Sequence, residues 1–359
     1  MAPASYCRAR SQKRLTREGA RPDNVEVPSS PAPPASLRVL SYNVRYFGHA
    51  TRGLASTAKA MRRIALAIAG LDPLPDIVCL QEVETSSLRS TVAHRQTRAG
   101  AEETQLARFA EMLDAALVAK KNPAPQDRYE AFYFPAHAYR IGAGGAKVYT
   151  TGLAVLALAS CAIDHHNAGE PEDITHRKLH PIRMLKQTRI CAHVRLRQHG
   201  GESIDIFNTH LSLPSTMSRE FWTLPRRMGY GPNQLEEARN VAQFVERERA
   251  SDRFVIVGDF NALPGSPVHR FFTQECGYSD AFAKLHRMTN EELVHWPTAG
   301  FMRMRMHLDH VFTGPGLRWV DFDDSHPFGD RTTTFHGLSD HMPLIGRCRI
   351  TRARRPSIP

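Results

Sequence analysis

Short runs of apolar residues, spaced at period two or three to four, cover most of this chain from position 37 onward. Leu37-Arg38-Val39-Leu40-Ser41-Tyr42-Asn43-Val44 alternates and predicts the first strand of the folded part. Asp76-Ile77-Val78-Cys79-Leu80-Gln81-Glu82-Val83 predicts a second, buried one. Further strands are expected over 129–135, 152–159, 188–196, 203–210, 254–261, 306–313, 317–322 and 342–350. Helical spacing appears over 55–70, where Met61, Ile64, Leu66 and Ile68 form the apolar set and Gly70 the stop. It appears again over 102–120, with Leu106, Phe109, Met112, Leu113, Leu117 and Val118 as the stripe. A third helix is expected over 233–249, capped by Asn233 or by the Gly231-Pro232 turn. A fourth starts at Ser266-Pro267, a capping serine followed by proline at the first helical position, and stops before Gly277. Two strand-rich halves with interspersed helices predict a sheet core covered by helices, an α/β or α+β sandwich. No internal repeat of fixed period is visible.

Composition divides the chain into a tail, a body and a second tail. Residues 1–36 end in Pro28-Ser29-Ser30-Pro31-Ala32-Pro33-Pro34-Ala35-Ser36, a disordered linker by composition. Residues 37–350 are the expected folded domain, and 351–359 a basic C-terminal tail. The net charge of +11 suggests a polyanionic partner. Its distribution weakens that inference. Residues 1–21 carry six basic residues and one acid, and residues 347–359 carry five arginines and no acid. The stretch between them holds 36 basic and 35 acidic residues, so the body is nearly neutral. No apolar run approaches the ~18 residues of a membrane span, and no apolar segment follows the basic N-terminus as a secretory signal requires. The six cysteines form no CxxC pair and several sit inside strands. They read as small buried hydrophobes in a reducing, cytoplasmic compartment.

The chemistry gathers at strand ends. Asn43 ends the first strand, Glu82 the second, and His210 closes Asn208-Thr209-His210. Phe254-Val255-Ile256-Val257 runs into Gly258-Asp259-Phe260-Asn261. Alternation puts Asp259 and Asn261 on one side of that strand and Phe260 in the core. Asp309 lies in Leu308-Asp309-His310, and Asp340 and His341 in Ser339-Asp340-His341. Singly these residues have bland rivals, since Asp caps turns and Asn ends strands for backbone reasons. Converging carboxylates repel one another unless a cation sits between them. Oxygen ligands with an amide and no cysteine favour Mg²⁺ or Mn²⁺ over zinc.

Taken together and in order, these motifs resemble the endonuclease/exonuclease/phosphatase family. That family includes pancreatic-type deoxyribonuclease, abasic-site endonucleases, neutral sphingomyelinases and inositol polyphosphate 5-phosphatases. The resemblance covers Leu37 to about Arg349. It implies a four-layered α/β/β/α sandwich of two packed mixed sheets. It implies Glu82 as a ligand of the divalent cation, with Asn43 and Asp340 as direct or water-mediated ligands. Asp259 would position or deprotonate the attacking water and Asn261 would orient it. His341 and His210 would donate to the non-bridging phosphoryl oxygens, and Asp309 would hold His341 in its tautomer. The implied activity is Mg²⁺-dependent hydrolysis of a phosphate ester, foremost a phosphodiester as in a nuclease. A phosphatase or phospholipase C acting on an inositol or lipid phosphate is the alternative. From other classes, an inactive binding module on the same fold and a nucleic-acid scaffold acting through the tails remain open. A monomer is compatible with all of these.

Other segments are less specific. Gly142-Ala143-Gly144-Gly145-Ala146-Lys147-Val148 fails the phosphate-loop pattern and is expected to be a hairpin or entry loop. His165, His166, His176 and His180 match no common zinc spacing and are expected in a solvated loop. His310 is expected to face away from Asp309 in a structural role. The stretch 213–231, with Phe221, Trp222, Arg226, Arg227 and Tyr230, and the stretch 296–306 are candidate walls of the substrate cleft. Arg219, Arg226, Arg227, Arg303 and Arg305 are candidates for a polyanion-binding cluster.

Overall fold

Strands buried on both faces build this protein. The computed structural model describes residues 36–47, 57–84, 105–121, 127–136, 140–141, 146–147, 151–176, 188–197, 201–214, 227–301 and 304–351. All of them lie in one compact unit, Ala35–Pro359. The proline-rich tail, the C-terminal tail beyond Thr351, residues 215–226 and Arg303 lie outside the described residues.

The strands are β1 (Ser36–Asn43), β2 (Ile77–Glu84), β3 (Tyr129–Pro135), β4 (Arg140–Ile141), β5 (Ala146–Lys147), β6 (Thr151–Leu158), β7 (Ala162–His166), β8 (Glu172–Asp173) and β9 (Ile190–Arg197). They continue with β10 (Ser203–His210), β11 (Phe254–Asp259), β12 (Ser279–Asp280), β13 (Ala299–Phe301), β14 (Met304–Met306), β15 (Asp309–Thr313), β16 (Leu317–Phe322) and β17 (Leu344–Ile350). The helices are α1 (Thr57–Ala69), α2 (Gln105–Lys121), α3 (Pro232–Glu248), α4 (Pro267–Arg270), α5 (Ala281–His286) and α6 (Asn290–Leu293). Helix α4 is capped by Ser266, whose side chain accepts from the His269 N–H, and runs on into a π turn over Phe271–Glu275.

One sheet runs β16-β17-β1-β2-β6-β3, and the other β12-β15-β11-β10-β9-β7 with β8 also on β9. The two share a plan. Parallel β1 and β2 are joined through α1, and parallel β10 and β11 through α3. Each parallel pair is flanked by antiparallel neighbours, β17 and β6 in the first sheet and β9 and β15 in the second. A structural duplication therefore exists without a sequence repeat, because the sandwich constrains which faces are apolar rather than which residues occur.

Alternation explains the long apolar runs. Leu37, Val39, Ile77, Cys79, Ile204, Ile206, Val255 and Val257 point into the layer between the sheets. Leu40, Tyr42, Val78 and Leu80 point to the helix layer formed by Met61, Ile64 and Ile68 of α1 and Leu106, Phe109, Leu113 and Leu117 of α2. Phe207, Phe254 and Ile256 point to the opposite layer, with Val241, Phe244 and Val245 of α3. Three apolar layers between four structural layers make the α/β/β/α sandwich, in agreement with the expected fold.

Some local expectations change. The histidine-rich stretch is not all loop, since His165 and His166 lie on edge strand β7. An edge strand with one solvated face has no need of an apolar pattern, which is why it reads as polar. The 306–313 strand is broken at His307–Leu308, and β11 ends at Asp259 rather than Asn261. Of the 142–148 stretch, Ala146–Lys147 is described; it forms β5, which pairs with β4.

Candidate active site

The carboxyl ends of β1, β2, β10 and β11 lie at one edge of the sandwich, and ligands of open α/β sheets bind at such ends. Asn43, His210 and Asp259 are the last residues of their strands, and Glu82 lies two before the end of β2. The antiparallel strands β15 and β17 begin at that same edge, so Asp309, at the start of β15, and Asp340 and His341, just before β17, arrive there too.

Local backbone aims the side chains. The β2–β6 register shifts between Leu80 and Val83, and Glu82 has φ 57 within this bulge. A bulge turns the strand, and here the turn re-aims Glu82. Gly258 has φ +145, and a Cβ there would lie 1.9 Å from the Thr209 carbonyl oxygen, so only glycine fits beside β10. Asn261 has φ 48, and its N–H donates to Asp259 Oδ1 at 2.9 Å. The two residues share a side through this left-handed turn, whereas strand alternation is the route the sequence suggests. Phe260 between them packs edge-on against Phe272 and Phe312.

The contacts are continuous. Asn43 Nδ2 donates to Asp259 Oδ2 at 3.0 Å and to Glu82 Oε1 at 3.3 Å, bridging the two sheets. His210 Nε2 lies 3.5 Å from Asp259 Oδ2 and 3.9 Å from Glu82 Oε1. Asn261 Nδ2 donates to the Leu211 carbonyl at 2.9 Å and lies 3.3 Å from His210 Nε2. His341 Nδ1 is 2.8 Å from Asp309 Oδ2, and its Nε2 is 3.6 Å from Asp259 Oδ2. Asp340 stands at the rim, paired with Arg45 and accepting from Ser339 Oγ at 3.3 Å. Ser339 Oγ also donates to the Asn43 carbonyl at 2.7 Å, which ties the 339–341 turn to β1.

Four residues not singled out in the sequence support these. Arg189 Nη1 lies 3.0 Å from His210 Nδ1. A guanidinium only donates, so Nδ1 accepts and His210 carries its proton on Nε2, toward the cleft. Thr298 Oγ1 donates to Asp309 Oδ2 at 2.7 Å and accepts from the Leu308 and Asp309 N–H groups. Beneath the cleft, Gln81 Nε2 donates to Asn208 Oδ1 at 2.8 Å, and Asn208 Nδ2 donates to the Leu80 and Ala154 carbonyls. This buried stitch holds the two sheets in register below the site. Arg189 and Thr298 carry no local signal, whereas Asn208 sits inside the Asn-Thr-His run. Of the candidate walls, Trp296 packs against Phe282 and Met306 is buried, so that segment serves as scaffold for Asp309 as much as cleft surface.

Burial sets the charges. It pushes the Glu82 carboxyl up from its ordinary value. It pushes Asp259 up to about 7, despite the opposing pull of His341. For His341 burial acts downward, but the Asp309 and Asp259 carboxylates override it and lift the imidazole to about 10. Burial, then the charges of Arg189 and His341, lower His210 well below the ordinary value. One imidazolium and one neutral imidazole therefore face the same carboxylate. Several buried carboxylates and an amide at one point are a donor set that suits a hard divalent cation.

The sequence profile of the Endonuclease/Exonuclease/phosphatase family matches residues 40–341. Solved structures show the same fold at low identity. An endonuclease/exonuclease/phosphatase from Beutenbergia cavernae superposes with TM-score 0.58 at 17% identity, covering 89% of this chain and 72% of that one. ANGEL2, a 2',3'-cyclic phosphatase in complex with adenosine-2',3'-vanadate, gives 0.53 at 17%, covering 88% and 96%. D. rerio TDP2, complexed with single strand DNA product, gives 0.52 at 15%, covering 88% and 99%. No curated protein matches the chain significantly by sequence.

Proposed function

We propose Mg²⁺-dependent hydrolysis of a phosphodiester in a nucleotide or nucleic acid as the reaction of this chain, which belongs to the endonuclease/exonuclease/phosphatase family. The observation that best supports the reading is the Asn43 amide bridging two carboxylates, the half-buried Glu82 and the buried Asp259, opposite the Asp309–His341 pair. Glu82, Asn43 and Asp340 would hold the cation. Such a cation supplies positive charge to the phosphoryl oxygen and the leaving alkoxide.

The chain's own groups account for the rest. Asp259 is held at both oxygens, by the Asn261 N–H and the Asn43 amide, and its pKa near neutrality suits a base that takes a proton from water. Asn261 is locked by the Leu211 carbonyl and orients that water. His341 presents a charged N–H, fixed by Asp309, to the non-bridging oxygens. His210 presents a neutral N–H beside it, its tautomer set by Arg189. Attack by water leaves no covalent enzyme intermediate. Nucleotide chemistry in the substrate is supported by the ligands of the structural neighbours, adenosine-2',3'-vanadate and a single strand of DNA.

The test offers the purified protein plasmid DNA, RNA, sphingomyelin and an inositol phosphate with Mg²⁺, with Asp259→Asn and His341→Ala as controls. Nucleic-acid cleavage lost in both variants is expected. Cleavage of the lipid alone would refute the nucleotide reading, and cleavage surviving both substitutions would refute the roles.

A further inference from the structure

At the outer edge of the second sheet, away from the strand ends of the cleft, three ligating side chains come together. One donor atom each from His165, His193 and Glu248 lies within 4.8 Å of the others. They come from β7, from β9 and from the last residue of α3. The β7–β9 register shifts between Ile163 and His165, which seats His165 opposite Arg195.

His193 is the innermost of the three. It is fully buried, and its Nε2 lies 2.8 Å from Asp205 Oδ1. Asp205 also accepts from Arg195 Nε at 2.7 Å and from the Ala250 N–H at 2.8 Å. Burial opposes ionisation there, but these donors together bring the Asp205 pKa below its ordinary value. A carboxylate held by Arg195 and the Ala250 N–H only accepts, so Nε2 donates to Asp205 and, in the neutral ring, Nδ1 carries the lone pair. That Nδ1 is buried and has no hydrogen-bond partner among the described residues. An imidazole with one nitrogen on a carboxylate and a bare lone pair on the other is oriented as metal ligands are.

A second cluster, at the opposite edge of the same sheet, is built differently. His269, Asp280 and His310 are equally close together. There the Gly265 N–H donates to His269 Nδ1, and His310 directs Nδ1 at Asp280 and Nε2 at the Ala262 carbonyl. Every ring nitrogen of that cluster is used, and no imidazole lone pair is left for a cation. The group of Asp259, Asp309 and His341 belongs to the cleft already described.

We propose that His193 Nδ1, His165 and Glu248 form a second metal site, for a divalent transition ion of the zinc class. Two imidazoles and a carboxylate select Zn²⁺ or Co²⁺ over Mg²⁺, and exposed His165 leaves a fourth position open to water. Burial and the neighbouring His193 and Arg195 lower the His165 pKa from its ordinary value. Two cations face the cluster, and each is already matched. Arg195 is on Asp205, and Arg247 is shared between Glu172 and Glu248 Oε1. A bound ion would join edge strand β7 to the C-terminal end of α3.

The test uses the full chain with Glu82→Gln and Asp259→Asn, which silence the cleft as a competing site. Zn²⁺ is titrated in competition with a chromophoric chelator, and Co²⁺ serves as the absorbing probe of nitrogen coordination. We expect one equivalent of Zn²⁺ in excess Mg²⁺, a Co²⁺ spectrum with imidazole ligation, and a rise in melting temperature with Zn²⁺. His165→Ala and Glu248→Gln, both reaching the surface, should each weaken Zn²⁺ by more than about 10-fold and abolish the melting shift. Absence of Zn²⁺ binding in the silenced protein would overturn the site, as would binding that His165→Ala leaves unchanged.

Discussion

Asp309 and His310 are neighbours on β15, and alternation sends them to opposite faces of the second sheet. Asp309 meets His341 at 2.8 Å, and His310 meets Asp280 at 3.1 Å. Both pairs are buried carboxylate–imidazole contacts of similar length. They differ in what the far side of each imidazole faces. His341 Nε2 stands 3.6 Å from Asp259 Oδ2, too far for a good hydrogen bond, and this leaves its proton available to a third group. His310 Nε2 is closed off by the Ala262 carbonyl at 2.8 Å, while Asp280 also takes His269 Nε2 and caps α5 through the Ala283 N–H. The first pair is an unfinished network and the second a finished one. Chemical type alone does not separate a catalytic Asp–His pair from a structural one; the unsatisfied face does.

Substitutions test this contrast, and the largest effect is expected where the unfinished network meets the water. Asp259→Asn should lower kcat by about 10²–10⁴-fold with little change in melting temperature, measured by turnover and calorimetry on one preparation. Asp280→Ala should do the reverse. Removing one member of the closed cluster strands buried histidines and should destabilise by about 3–5 kcal/mol in denaturant unfolding, while the folded fraction keeps its kcat. If Asp280→Ala instead cost turnover without stability, the two networks would not differ as described. Asp309→Asn should fall between them, with kcat down about 10²–10³-fold and folding largely intact. Thr298→Val removes the hydroxyl that donates to Asp309 and accepts from the Leu308 and Asp309 N–H groups, and should destabilise by about 1–3 kcal/mol with only a small fall in kcat.

The smallest predicted signal is in pH, and its direction differs between the networks. Asp259 is raised from 3.8 to about 7 and His341 from 6.5 to about 10. A raised pKa contributes stability that is full below the unfolded value and lost as pH climbs through the folded one. The metal-free cleft should therefore weaken as pH rises from about 4 to about 10. Asp280 is shifted down: burial opposes the shift, but hydrogen bonds from His269 and His310 override it. Its contribution is present above about 4 and is lost as pH falls below that. Melting curves in chelator should thus decline on the alkaline side in wild type, and Asp280→Asn should reduce the acid-side loss alone. Alkaline stabilisation of the chelated protein would contradict the cleft assignment.

Much of the architecture is legible in the chain. Buried strands announce themselves as β-branched runs, and α1, α2 and α3 as stripes, because burial on a face imposes a period. Apart from α4, marked by Ser266-Pro267, short elements are not legible. Helices α5 and α6 hold six and four residues and depend on the caps Asp280 and Thr289, and β7 is an exposed edge. Such pieces have too few residues to show a period, and their neighbours stabilise them.

By itself the sequence determined the layer plan, the order of the strand ends and the residue types at those ends. These follow from local chemistry: apolar runs must be buried, and a run of strand-terminal Asp, Glu, Asn and His has no packing explanation. Only the tertiary structure decided which of those groups meet. Asn43 and Asp259 are 216 positions apart and share a hydrogen bond because two sheets face each other over the Gln81–Asn208 stitch. Arg189 on His210, Thr298 on Asp309 and the bare nitrogen of His193 likewise depend on which atoms packing brings within 3 Å of one another and which it leaves without a partner. Hydrogen bonds act over such distances alone, and no pattern along a chain encodes them.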